Sequence, residues 1–341
     1  MEQTAVEKKF GKYVMASMIT MFLQSAYSMI DGLFVSNLIG DTALSAVNVA
    51  WPVIAVVTAI GTGVGCGGAV MMSTKQGEGK NEESNIVRAN VILALLASSI
   101  VVTILFLILL TPLLKLMGAE GELLRLSQIY GRVMLTGGVL QILSCGLTPL
   151  LRNDNRAVSA MMIMVGGLFA NLGLDFVFMY VFHMGIGGAA GASLCAQLFT
   201  TVCCLMILCT KKTDPIRLSQ FMIRKEYWKK IFKTAVSPFG ISLTPSLLIL
   251  YHNVACLKFG GDLAVNAYAL ISSTVGSYRV LLIGVAEGIQ PLASYAYGAH
   301  DFHAIRKIRN KAVITAIGVS FFLFIFTIAT ARFYPAIYGY E

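Results

Sequence analysis

The sequence predicts an all-α polytopic membrane protein: two six-helix lobes arranged as a parallel repeat, the second lobe truncated after three helices. Three observations carry this. Apolar runs long enough to cross a bilayer recur along the whole chain. Lys and Arg gather in alternate loops. Shifted by 221 residues, the sequence meets itself without a gap.

The 341 residues are 57% hydrophobic and 13% charged, with a mean hydropathy of +0.76. A soluble domain carries about a quarter charged residues, so this chain must place apolar surface in lipid. A helix needs about 20 apolar residues to span the hydrocarbon core. Nine such runs fall at about 13–36, 48–74, 88–112, 129–150, 157–181, 188–210, 235–257, 264–296 and 312–336. They are too long for barrel strands and lack their alternation. The first run exceeds a signal-peptide core and has no small-residue cleavage site, so it is read as a retained span. All seven Cys lie within apolar runs at spacings that suggest neither a disulfide framework nor a zinc site.

The net charge of +9 does not point to nucleic acid, because of how it is distributed. Twenty of the twenty-six Lys and Arg occupy five clusters: Lys8 to Lys12, Lys75 to Arg88, Arg152 and Arg156, Lys211 to Lys233, and Arg306 to Lys311. The intervening loops "NLIGDTALSAV" and "FHMGIGG" have none. This positive-inside pattern puts the N-terminus in the cytoplasm of a multi-pass protein of the cell membrane and, after nine spans, the C-terminus outside.

In the repeat, "GDTALSA" (40–46) lies over "GDLAVNA" (261–267). Gly63, Gly67, Ser73, Gly77 and Arg88 lie over Gly284, Gly288, Ser294, Gly298 and Arg309. Six spans separate equivalent points, so both copies share one orientation and are related by an axis along the membrane normal, with a cavity between them. The expected organisation is an N-lobe of six spans over 1–210, a basic cytoplasmic inter-lobe loop over 211–233 and a partial C-lobe of three spans over 234–341. "LLKLMGA" (113–119) aligns with "YPAIYGY" (334–340), where the second copy stops. Three absent spans would leave one side of the cavity open to lipid.

Acids inside spans are the expensive residues. A carboxylate at the centre of a membrane helix costs about 2.5–3.5 kcal/mol. Asp31 and Asp175 lie in spans one and five, and Glu287 in span eight. Asn171 precedes Asp175 by one helical turn, so the two share a face. Gln24 and Tyr27 share a stripe with Asp31. Ser193, Gln197 and Thr200 form another on span six. Two Asp flanked by amides and hydroxyls suggest a site for a cation or proton, with a possible Na⁺ held at Asp31, Asn171 and Asp175. Gln24, Tyr27, Gln141, Gln197, His252 and Glu287 are the candidate cavity residues. His252 falls where Asp31 lies in the first copy, and Glu287, eight residues after Arg279, is placed for an internal ion pair or a coupling role. "GVGCGG" (63–68) matches a dinucleotide fingerprint by letters alone, since no strand precedes it. Its glycines, with Gly61, let span two pack closely on neighbours. Pro52, Pro238 and Pro245 are placed to kink their helices.

The segment "YSMIDGLFVSNLIGDTALSAVNVAWP" resembles the first-span signature of the MATE family of multidrug and toxic-compound extrusion antiporters. "LRNDNRAVSAMMIMVGGLFANLGLDFVFMYVFHMGIGGAAGAS" resembles its fifth- and sixth-span stretch, and "STKQGEGK" and "SYAYGAHD" its paired loops after spans two and eight. The resemblance implies two six-helix lobes, a cavity that opens alternately to each side, and secondary-active export of cationic amphipathic compounds in exchange for H⁺ or Na⁺. It implies a coupling site at Asp31, Asn171, Asp175 and Ser193, where Ser keeps the hydroxyl of the family's Thr. Phe176 replaces the family's Pro, and a seventh-span acid found in some members falls at about Ser246. No cofactor beyond the coupling ion, no nucleic-acid partner and a monomer are expected. The alternatives are a lipid or oligosaccharide flippase of the same superfamily, which would need a strongly cationic cavity, and a membrane-embedded enzyme, for which no catalytic constellation is visible.

Overall fold

The computed structural model describes residues 3–209 and 220–330. These form nine α-helices and no strand: α1 (Gln3–Leu38), α2 (Asp41–Gly77), α3 (Asn81–Leu116), α4 (Gly121–Thr136), α5 (Gly138–Asn153), α6 (Ala157–Asp175), α7 (Gly185–Cys209), α8 (Lys225–Gly298) and α9 (Phe302–Thr330). The expected alignment at 334–340 and most of the basic inter-lobe loop lie outside the described residues. So long a run of helix follows from the solvent. In hydrocarbon every backbone N–H and C=O must find a partner within the protein, and the helix provides one inside each span. Short corners join the spans. Gly40 turns α1 into α2 at φ +118°, a conformation only glycine adopts freely.

Three departures from the expected spans have local causes. The fourth span is broken: α4 and α5 meet at a 58° bend at the Gly137–Gly138 pair. Glycines are a recognised cause of such kinks. The freed Met134 carbonyl accepts a hydrogen bond from Gln141 Nε2. Gln141 is therefore fully buried at the bend and is not a cavity residue. The fifth span widens into a π-helical segment at Phe176–Val181, directly after Asp175. The third concerns α8, which is helical over 74 residues and carries the expected seventh and eighth spans without an intervening coil.

α8 is nevertheless doubled back. Its residues Ile231 and Ala235 pack on Gly67 of α2, while Tyr295 packs on Gly77. Those two glycines are about 15 Å apart along α2, whereas the intervening stretch of α8 would reach about 90 Å if straight. The rings of His252 and Tyr268, about 24 Å apart in a straight helix, stack with centroids at 5.0 Å. The chain therefore reverses between these two residues. Among the described residues six helices are long and apolar enough to cross a membrane, and the bent α4–α5 pair supplies a seventh.

The two copies of the repeat pack on each other in the register read from the sequence. A Cβ on Gly67 would lie 2.7 Å from the Ala235 nitrogen, and one on Gly288 would lie 2.6 Å from Cα of Val14. A Cβ on Gly63 would lie 3.0 Å from Cβ of Phe239, and one on Gly284 would lie 2.9 Å from Cα of Met18. A Cβ on Gly77 would strike the Tyr295 carbonyl, and one on Gly298 the Thr74 carbonyl. Each contact is its partner moved by 221 residues, the signature of a pseudo-two-fold axis. Ser73 adds a hydrogen bond to the Pro291 carbonyl at 3.2 Å. All these contacts lie in the half of the bundle that carries the basic loops. In the other half Phe22, Trp51, Tyr251 and Val275 are exposed, and a Cβ on Gly276 would have nothing within 4 Å.

The corners at the basic-loop end are tied by charge. Lys75 pairs with Glu78 at 2.9 Å and with Glu83 at 2.8 Å, and Lys80 pairs with Glu78 at 3.0 Å. Hydrogen bonds from Lys75 and Lys80 hold the Glu78 carboxyl below its usual range. Asn90 anchors the entry to α8, donating to the Met222 carbonyl and accepting from the Arg224 N–H.

Gly65 lies against backbone, with a Cβ there 2.3 Å from the Gly146 carbonyl. Gly65→Ala is expected to destabilise the protein by about 1–3 kcal/mol, because backbone cannot yield as a side chain can. Gly240→Ala, in open space on a helix, should be neutral or stabilising by about 0.5–1 kcal/mol. Thermal unfolding in one detergent, followed by fluorescence-detected gel filtration, checks both. Equal stability of the two variants would contradict the packing described.

Candidate functional site

The costly polar residues of spans one, five and six converge. Tyr27 of α1 donates to Asn171 Oδ1 of α6 at 2.5 Å and approaches Asp175 Oδ2 at 3.5 Å. Asn171 Nδ2 donates to Asp175 Oδ2 at 2.9 Å, as their one-turn spacing requires. Asp31 is within hydrogen-bonding reach of both Asp175 and Tyr27, and the Ser193 hydroxyl of α7 is within reach of Tyr27. Asp175 is fully buried. One oxygen of each carboxyl, Oδ1 of Asp31 and Oδ1 of Asp175, is buried with no hydrogen-bond partner.

Two facing carboxyls cannot both hold a bare charge in hydrocarbon. They need a proton or a cation between them. The donor set consists of two carboxylates, an amide oxygen and two hydroxyls. It is all oxygen and suits a hard ion or a proton. Among the described residues no cluster of three or more His, Cys, Asp or Glu is placed to hold a metal. The site lies where α6 passes into its π-helical segment, and such widenings often accompany functional residues.

The structure moves Tyr27 from the cavity list into this cluster and adds Tyr130 of α4, which is buried and within electrostatic reach of both acids. Tyr130 sits in a helix of mixed polarity, and nothing in its spacing from Asp31 or Asp175 marks it in the sequence. The other candidates lie elsewhere. Gln24 is exposed on α1. Gln197 has a buried Oε1 without a partner. His252 is exposed, with Nδ1 2.8 Å from the Leu248 carbonyl. Ser246 is half-buried on α8.

Glu287 does not pair with Arg279. Its carboxylate accepts from Arg152 of α5 at 2.5 Å. This ties the second arm of α8 to the first copy of the repeat. Arg88 and Arg152 read as solvated loop cations in the sequence, yet both are buried. Arg88 pairs with Asp154 at 3.1 Å with both side chains 1% exposed. Asp154 also accepts from Gln76 at 3.0 Å.

A helical bundle with internally repeated halves and buried facing acids is the architecture of a secondary transporter rather than an enzyme. The comparisons with known proteins agree. The MatE family model matches residues 16–180 and 241–341, and the chain belongs to that family. The multidrug export protein MepA of Staphylococcus aureus is 26% identical over 326 residues, covering 94% of this chain and 70% of the relative. The solved structure described as the outward-facing conformation of a multidrug resistance MATE family transporter of the MOP superfamily superposes with a TM-score of 0.92 at 25% identity, covering 97% of this chain and 74% of that one. A MOP superfamily transporter from Pyrococcus furiosus, described as having a binding pocket of reverse polarity, gives 0.92 at 25% identity, over 98% and 75%.

The Arg88–Asp154 pair generates a stability prediction. Asp154→Leu leaves a buried guanidinium without its charge partner and is expected to cost about 3–5 kcal/mol. Arg88→Met combined with Asp154→Leu should recover most of that loss, because no lone charge remains. Unfolding temperatures of the two variants in detergent test this. A double variant as unstable as the single one would show that the pair contributes by shape and not by charge.

Proposed function

We propose that the chain is a multidrug exporter that moves cationic amphipathic compounds out of the cell in exchange for H⁺ or Na⁺, acting as a monomer. The coupling ion occupies Asp31, Asn171, Asp175 and Ser193, with Tyr27 holding Asn171 and Asp175 in place. The observation that carries this reading is the pair of buried carboxyl oxygens without partners, on two helices, facing one set of amide and hydroxyl oxygens. The name of the MepA relative, a multidrug export protein, supports the export of drugs.

In this reading residues 1–210 and 234–341 act as lobes, and the basic-loop end is cytoplasmic. Closure there, together with divergence at the other end, corresponds to a state open to the outside. Arg152 and Glu287 latch it on the cytoplasmic side. Substrate and coupling ion each shift the balance between this state and its opposite only by as much as they bind the two differently. A proton or Na⁺ arriving at Asp31 and Asp175 neutralises the acids and competes with a cationic substrate for the same conformational equilibrium.

Asp175→Asn keeps the size and hydrogen-bonding capacity of the side chain and removes its charge. It is expected to abolish gradient-driven drug accumulation in proteoliposomes while leaving drug binding without a gradient within a few-fold. Asp31→Asn should do the same, since two acids in contact titrate as one unit. Uphill transport by Asp175→Asn at the rate of the unsubstituted protein, under an imposed pH or Na⁺ gradient, would end the coupling assignment.

The charge distribution gives a topology test. A reporter inserted after Lys80 should read as cytoplasmic and one after Asp41 as external. A cytoplasmic signal after Asp41 would overturn the orientation.

A further inference from the structure

We infer that the polar pocket at the basic-loop end of the bundle, between the corner joining α2 to α3 and the last turns of α5 and α8, is a binding site for a neutral polyhydroxy compound, a sugar or polyol. Its volume is about 350 Å³, within the range of small-molecule sites, about 300–1,000 Å³.

The pocket starts from a pattern in the sequence. Asn81, Ser84, Asn85 and Arg88 follow at i, i+3, i+4 and i+7, so they share one face over the first two turns of α3. Ser84, Asn85 and Arg88 are buried and form the floor. Asn81 and Asn155 are exposed and form the mouth. Tyr295 of α8 adds a wall from the second copy of the repeat.

Polar groups at this depth normally find partners within the protein. Ser84 does, donating to the Met72 carbonyl at 3.2 Å. Arg88 donates to Asp154 at 3.1 Å and to the Leu208 carbonyl at 3.5 Å, and Gln76 Nε2 donates to Asp154 at 3.0 Å. Three groups are left over. Asn85 Oδ1, Gln76 Oε1 and Arg88 Nε are buried with no hydrogen-bond partner among the described residues. Tyr13 occupies Asn155 Oδ1 at 3.3 Å and leaves the amide nitrogen of Asn155 for a ligand. The lining therefore mixes acceptors from two amides with donors from a guanidinium and from amides. A hydroxyl both donates and accepts, so a compound with neighbouring hydroxyls satisfies such a set.

Charge selects against ions. Among the described residues that line the pocket Arg88 alone is charged, and Asp154 already meets that charge. A guanidinium in the floor disfavours a cation. An anion would meet Glu82 and Glu83, which fill the first turn of α3, where the helix dipole otherwise favours negative charge. Neutral hydroxyls suffer neither penalty. The pocket is whole only while the basic-loop ends of the two copies are packed together, because Tyr295 belongs to the second. A ligand bound there favours that arrangement.

Two sources carry such hydroxyls, a dissolved sugar and the headgroup of a glycolipid. The 341-residue chain is purified in a detergent without sugar and placed in phosphatidylcholine nanodiscs. Saturation-transfer NMR is then recorded with glucose and with myo-inositol. Transfer to one or both is expected. Asn85→Leu, similar in size and without the stranded amide, should leave the unfolding temperature unchanged or raise it, yet weaken binding about tenfold through the lost hydrogen bonds. Asn81→Ala, at the exposed mouth, should weaken binding several-fold. Adding glucosyl-diacylglycerol to the nanodiscs separates the sources. Suppressed transfer assigns the headgroup, and unaltered transfer assigns the dissolved compound. Absence of transfer to both compounds, or transfer that Asn85→Leu and Asn81→Ala leave unchanged, overturns the proposal.

Discussion

The structure depends on one contact made twice: a glycine-lined helix of each repeat laid against the first helix of the other, at van der Waals distance from its backbone. Between membrane helices there is no hydrophobic driving force, because lipid is as apolar as leucine. Association rests on close packing and a few hydrogen bonds. Gly63 and Gly67 on α2, and Gly284 and Gly288 on α8, remove the side chains that would hold those backbones apart, and Gly77 and Gly298 do the same where the two glycine-lined helices meet each other. The same stripe frees Ser73 to bond the Pro291 carbonyl.

Charge follows from this packing. Arg152 and Glu287 come from different copies of the repeat and meet beside the glycine crossing. A buried ion pair contributes little net stability but makes each partner costly to strand. It therefore specifies a closed arrangement more than it strengthens one. The cluster of Tyr27, Asp31, Asn171 and Asp175 lies toward the other half of the bundle, where the two copies diverge.

The acids and their companions were legible in the sequence because hydrocarbon makes them conspicuous. Asp175 in "NLGLDFVF" needs a reason to exist there, and the one-turn spacing to Asn171 names its first partner. Tyr130 was not legible. An aromatic hydroxyl in a helix of mixed polarity carries no mark of the residue it will face. Arg88 and Arg152 were misleading, since an arginine at a span boundary reads as a solvated anchor whether or not an acid elsewhere in the chain will bury it. Gln141 misled in the opposite sense. Its amide serves a carbonyl that becomes free only because the helix breaks at Gly137 and Gly138.

By itself the sequence determined the helical class, the places of the spans and the repeat register. Each follows from local or periodic physics: the length of an apolar run against the thickness of a bilayer, the cost of exposed backbone, the recurrence of small residues every 221 positions. Only the tertiary structure decided which glycine meets which backbone, where α8 folds back, which cations are buried, and which carboxyl oxygens are left without a partner. Those depend on residues far apart in the sequence, Tyr27 and Asn171 by 144 positions and Arg88 and Asp154 by 66, reaching the same few ångströms. No window of sequence contains that distance, and only the packed helices supply it.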